Sequence, residues 1–318
     1  MNYSYYLPEG SYIYSQENLS YASSLSGLER AMREGKILEA SVKMCDEDLN
    51  LHVDLFGISG IIPRNECLLT GEGEQIKDIA IITRVGKPVC FKVTAIEPVG
   101  NTYRAILSRR EAQTECKNYY LSSLIPGVII PATVTHLDSF GAFVDVGCGL
   151  VSLLSIDSIS ISRISHPTDR LSNGQKIEVV VKSNDLQSGR MFVSMKELLG
   201  TWEENASLFS VGQTVSGIVR SIENYGVFVE LAPNLAGLAE LRGDNPTFYD
   251  LAVGDSVSVY IKSIIPEKMK IKLSMIDINN AGAPKTPLRY FISSKEVTHI
   301  DMWRYSSPRC PKLIETVF

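Results

Sequence analysis

One motif occurs twice in this 318-residue chain and limits what the chain can fold into. Phe140-Gly141-Ala142-Phe143-Val144-Asp145 and Tyr225-Gly226-Val227-Phe228-Val229-Glu230 both read aromatic, Gly, small or branched, Phe, Val, acid. Their glycines, Gly141 and Gly226, stand 85 positions apart, the span of one small β-barrel. Around each copy the same features recur in order: a Gly before alternating apolar residues, a Gly-Leu turn, a second Gly before a Val/Ile-rich strand, and a short strand ending in Ser-Met. Self-similarity at a fixed period means an array of like units, not one large core.

Taken in order, residues 1–26 are rich in Tyr and Ser without periodicity and are expected to form a disordered arm. Ser26 is expected to cap a short helix that Gly35 ends. A first, degenerate repeat occupies 27–110. Aligned on Val53-Asp54, it carries Leu49 and His52 where the later copies carry aromatics. Asp46, Asp48 and Asn50 mimic the start of a calcium loop, but Leu51 and Gly57 stand where that loop needs Gly and Glu, so a hairpin turn is expected. Residues 109–122 read as a linker helix. The second repeat, 124–197, has strands at 129–135, 143–146, 150–154, 176–182 and 190–194. The third, 209–278, has them at 214–222, 227–231, 236–240, 256–264 and 270–274. Period-two alternation over five short strands, with a long third-to-fourth connection, predicts an all-β chain: three tandem five-stranded OB-type Greek-key barrels joined by short helices. Residues 279–318 form a basic, aromatic tail that either folds against the third repeat or binds RNA.

Composition excludes several classes. A net charge of −5 is not that of a strongly basic nucleic-acid binder, so any RNA must be held partly by stacking. Six scattered cysteines without CxxC spacing predict reduced structural thiols and no zinc or other cofactor. The N-terminus has no signal-peptide pattern, and no run approaches the roughly 18 apolar residues of a membrane helix, so a cytoplasmic protein without membrane contact is expected. No nucleophile triad, phosphate-binding glycine loop or metal-ligand cluster marks an enzyme.

The second repeat, from Pro126-Gly127-Val128 through Phe140–Gly147 to Gly189-Arg190-Met191-Phe192-Val193-Ser194-Met195-Lys196, resembles the S-one RNA-binding domain. That domain is the repeat unit of the largest protein of the bacterial small ribosomal subunit. The third repeat resembles it through Val215–Val219, Tyr225–Phe228 and Lys272-Leu273-Ser274-Met275; the first does so only in outline. The family's RNA face usually carries a third-strand His. The equivalent positions are read as Ser155, Glu240 and Pro63, and a carboxylate at Glu240 would repel phosphate.

Single-stranded RNA is held by stacking bases on exposed aromatics while Lys and Arg track the phosphates. Phe140 and Phe143, and likewise Tyr225 and Phe228, are three apart, so a regular strand would put each pair on opposite faces. A bulge or turn at the intervening Gly would unite them, whereas a core position for one ring is the plain alternative. The resemblance favours the shared face. Candidate phosphate contacts are Lys182, Arg190, Arg220, Lys262, Lys268 and Lys270. The expected function is non-enzymatic: a factor that holds single-stranded mRNA for translation and contacts the small ribosomal subunit through residues 27–110. The rivals are a non-ribosomal regulator of transcription or RNA decay, and a protein-interaction scaffold that has lost RNA binding.

Overall fold

The computed structural model describes residues 6–71, 73–185, 189–240, 251–279 and 288–318; arm residues 1–5, the turn residues 187 and 188, and tail residues 280–287 lie outside them. The order begins with helices α1 (Gln16–Ala22) and α2 (Leu25–Glu34), then β1 (Ile37–Cys45), β2 (Leu51–Leu55), β3 (Ile58–Ile62), a short α3 (Asp78–Ile82), β4 (Pro88–Val99) and β5 (Thr102–Ser108). Helix α4 (Arg109–Ser123) leads into β6 (Ile129–Asp138), β7 (Gly141–Asp145), β8 (Val151–Ser155), α5 (Ile156–Ile159), β9 (Lys176–Asp185) and β10 (Arg190–Ser194). After α6 (Trp202–Ala206) come β11 (Thr214–Glu223), β12 (Gly226–Ala232), β13 (Leu235–Ala239), β14 (Ser256–Ile265) and β15 (Lys270–Asn279). A small pair, β16 (Met302–Arg304) and β17 (Glu315–Val317), follows.

Each set of five strands closes into a barrel with the same neighbour order, shown by β1-β2-β3-β5-β4 in the first. In all three the third and fifth strands run parallel and the remaining pairs antiparallel. The three tandem OB-type barrels expected from the repeat are the fold. Alternation explains each strand: along β2 the buried side chains are Leu51, Val53 and Leu55, while His52 and Asp54 point outward. The expected hairpin turn before β2 forms, with Asp46 accepting from the Asn50 amide at 2.8 Å and contacting His52 Nε2 at 2.8 Å.

Two expectations need correction. Arm residues 6–26 are ordered, because they supply polar groups that barrels one and two cannot satisfy alone. Tyr6 packs edge-on against Tyr119 and Tyr120, with ring centroids 5.7 and 5.9 Å away. The buried Glu39 carboxylate accepts from the Gly10 and Tyr12 amides, and Asn18 bonds the Glu39 backbone from both ends of its amide. Second, Ser24 rather than Ser26 caps α2, its side chain accepting from the Gly27 amide, while Gly35 ends the helix in the left-handed region as expected.

Linker helix α4 buries Arg109, Ala112, Gln113, Cys116 and Tyr120, one stripe at helical spacing, between the first two barrels. The tail settles against barrels two and three. The Ile129 amide donates to the Thr298 carbonyl at 3.0 Å and the Ile300 amide to Gly127 at 2.9 Å. Trp303 and Tyr305 are buried in the core that barrel three shares with Ile129, Val180 and Trp202. Burying each such side chain stabilises by about 1.5–3 kcal/mol, which explains why so aromatic a segment is no spacer.

Candidate nucleic-acid interface

The repeated motif sits on the hairpin between the first two strands of its barrel. Gly141 begins β7 against the end of β8, where an added Cβ would lie 2.5 Å from the Leu154 carbonyl oxygen. Gly226 does the same in barrel three, 2.6 Å from the Ala239 oxygen. No other side chain fits there without moving backbone. The first aromatic of each motif lies in the turn and the second on the strand, so the two meet on one surface. Phe140 and Phe143 have centroids 5.8 Å apart at 89°, and Tyr225 and Phe228 lie 6.3 Å apart at 89°. Phe140 is 50% exposed and Tyr225 59%, while Phe143 and Phe228 are half-buried beneath them. Neither ring of either pair enters a barrel core. The turn does this; the bulge lies one strand earlier, opposite Phe143 and Phe228.

Strand register then lays out a row of outward side chains across four strands. In barrel two it reads His136, Phe143, Leu153, Phe192. In barrel three it reads Ser221, Phe228, Leu238, Lys272. In barrel one it reads Met44, His52, Ile61, Ile106, with neither aromatic nor cation beyond His52. His52 is already engaged with Asp46. The third-strand neighbours of the second aromatic are thus Leu153 and Leu238. Ser155 pairs instead with Gly141, Glu240 lies just past β13, and Pro63 just past β3. Aliphatic walls, not a carboxylate, flank the rings from that side.

Three residues of these rows were not singled out from sequence. His136 stacks on Phe143 at 6.1 Å and 23°. The β6 bulge after Val134 reverses its parity, so alternation alone misplaces it. Phe192 reads as an ordinary core residue. Lys272 was legible, since it shares a strand face with Lys270.

The cations divide. Lys182 and Lys262 are exposed at equivalent bulges in β9 and β14. Asp157, held below the usual carboxylate range chiefly by the Ser155 hydroxyl, also feels Lys182. Arg190 and Lys270 begin β10 and β15, and Lys268 lies in the preceding turn; all three are exposed. Arg220 is corrected. Its side chain is 7% exposed, and it donates to Glu230 at 2.8 Å and to Asp169 at 3.0 Å. The β11 bulge turns it away from the aromatics toward barrel two, where Arg170 also pairs with Glu230.

The acid that ends each motif shares the outer strand face of Phe143 or Phe228 but is buried there, Asp145 being 4% and Glu230 6% exposed. Asp145 accepts from the Gly147 amide at 2.8 Å, the Gly149 amide at 3.0 Å and the arm's Glu9 amide at 2.8 Å. Burial, and then the neighbouring Glu9 carboxylate, push its carboxyl up to about 7. Glu9 is clamped by Arg109 at 2.7 and 3.0 Å and accepts from the Cys90 amide.

Residues 124–196 match the S1 RNA binding domain. Small ribosomal subunit protein bS1 of Leuconostoc lactis is 31% identical over 272 residues, covering 81% of this chain and 58% of that protein. The same protein of Staphylococcus aureus strain COL is 31% identical over 276 residues, covering 84% of this chain and 68% of that protein. A solved multidomain protein with nucleic acid binding domains from Streptococcus pneumoniae is 14% identical over 76% of this chain and 73% of its own, with a TM-score of 0.25. This chain thus spans a little over half of the first of these bS1 proteins and two thirds of the second. On the extent and identity of the match, the chain belongs to the bacterial small ribosomal subunit protein bS1 family.

Proposed function

We propose that this chain holds unstructured single-stranded RNA across barrels two and three, as a non-enzymatic, cytoplasmic factor that presents mRNA to the small ribosomal subunit. One observation carries the reading: two barrels place an exposed aromatic edge-on against a half-buried one at the same point of the same hairpin. Such pairs accept any base, because every base has a stacking face. Exposed Lys182, Lys262, Arg190, Lys268 and Lys270 on the same two barrels support contacts to the phosphates, and Lys272 joins them. Barrel one, whose row lacks exposed aromatics, serves as the docking unit. Two linked weak sites bind one strand more tightly than either alone, because the tether raises the effective concentration for the second contact.

Anisotropy titration of a labelled unstructured RNA at two salt concentrations tests this. Wild type is expected to bind with a shallow salt slope, and Phe140→Ala, Phe143→Ala, Tyr225→Ala, Phe228→Ala combined to lose binding. A fourfold variant that binds as wild type would sink the reading. Loss of co-sedimentation with small subunits on disrupting barrel one is the expected second result.

A further inference from the structure

A cleft of about 400 Å³ opens between barrel one, α4 and strands β8 and β10 of barrel two. Leu68, Leu121 and Met191 form apolar walls, and Lys117, Arg190 and Glu74 supply charge. That volume lies in the range of small-ligand sites, about 300–1,000 Å³, and suits one nucleotide. Arg190 precedes Phe192 by two residues on β10, so both side chains leave the strand on one face. The aromatic row of barrel two therefore leads along β10 into the cleft.

Lys117 reaches the same place from α4. Its ammonium lies against Gly189, where an added Cβ would meet Nζ at 2.7 Å, and Gly189 has φ +63°. Elsewhere on α4, Glu115 is engaged by Tyr6 and Lys92. Lys117 and Arg190 have no carboxylate partner among the described residues. The acid of the cleft, Glu74, turns to the Gly71 amide at 3.3 Å. A half-buried Lys117 and an exposed Arg190 against the one carboxylate of the lining make the cleft wall net positive in a chain whose net charge is −5, with Asp185 opposite Arg190 across the strand pair.

We propose that this cleft takes the next nucleotide of the strand held by barrel two, its phosphate between Lys117 and Arg190 and its base against Leu121 and Met191. The proposal rests on the RNA reading above and adds a contact from the linker helix.

The test is anisotropy of the full chain with labelled oligouridylates over a range of salt, comparing wild type, Lys117→Ala and Lys117→Arg. Each phosphate contact on a single strand contributes about 0.7 to the slope of log affinity against log salt. For an oligomer of about 16 nucleotides, Lys117→Ala is expected to lower the slope by about 0.7 and Lys117→Arg to restore it. For a dinucleotide, whose bases the two aromatics take up with none left for the cleft, wild type and Lys117→Ala are expected to bind alike. Unchanged slopes for Lys117→Ala, with wild-type binding intact, overturn the cleft and leave the aromatic faces standing. Absence of wild-type binding overturns the RNA reading and the cleft with it.

Discussion

Asp145 and Glu230 close the same motif in neighbouring barrels, yet they are satisfied in opposite ways. Asp145 draws on backbone amides, including that of Glu9 in the arm, and through Glu9 reaches Arg109 and the Cys90 amide of barrel one. Glu230 draws on two arginines, one of them Arg170 of barrel two. Asp54, at the matching place in barrel one, lies exposed and accepts from the Gly57 amide. One repeat position thus serves as a fastener to whatever stands N-terminal to it. The motif carries two functions on one strand face: aromatics open to solvent, and an acid covered against the preceding barrel.

The sharpest way to break this comparison is Glu230→Ala. It strands Arg170, 5% exposed, and leaves Arg220, 7% exposed, with Asp169 alone, and removing one member of a buried ion network costs about 3–5 kcal/mol. Urea denaturation should show that loss. Asp145→Ala strands no cation, because Arg109 keeps Glu9, and should cost less; equal losses would mean the two acids are equivalent after all.

Next come the rings. Phe140→Ala with Phe143→Ala, and Tyr225→Ala with Phe228→Ala, should each weaken binding of unstructured RNA by about 1–3 kcal/mol per base no longer stacked. The rows differ at the fifth strand, Phe192 against Lys272. The first double variant, relying on barrel three, should therefore retain the steeper salt dependence and the second the shallower. Matching slopes in the two variants would show that the rows act alike.

A further comparison is one of pH. Asp145 in the folded chain sits near 7, above its ordinary 3.8, so folding takes up a proton between those values. The stability it supplies is full below about 3.8 and is lost as pH rises through about 7. Melting temperature should fall over that interval, and Asp145→Asn should flatten the fall. Glu9, Arg109 and Arg84 surround the carboxyl and stay in place in that variant. A profile identical to wild type would assign the slope to another group.

Much of this was legible in the sequence, and the misses have physical causes. The barrels followed from strand alternation and the 85-residue repeat, and the paired aromatics from the glycine between them. Arg220 reads like any exposed strand cation. Its partners Asp169 and Arg170's shared Glu230 come together only once two barrels are stacked, a contact no local pattern encodes. The arm failed for the same reason: a Tyr- and Ser-rich stretch looks unable to bury itself, but Glu9 meets Asp145 across 136 positions. His136 was hidden by a bulge that shifts strand parity by one.

The tail also bears on the order of synthesis. His299 contacts the Pro126 carbonyl across 173 positions, and the Thr298 and Ile300 backbones bond Ile129 and Gly127 at the start of barrel two. A chain made from its N-terminus must therefore complete barrel three and then this last segment before the edge of barrel two is covered. Until then Ile129, Val180 and Trp202 lack the Trp303 and Tyr305 that complete their core. The nascent protein passes through an interval in which its second barrel is closed but unsealed, a stage when apolar surface is open to wrong partners.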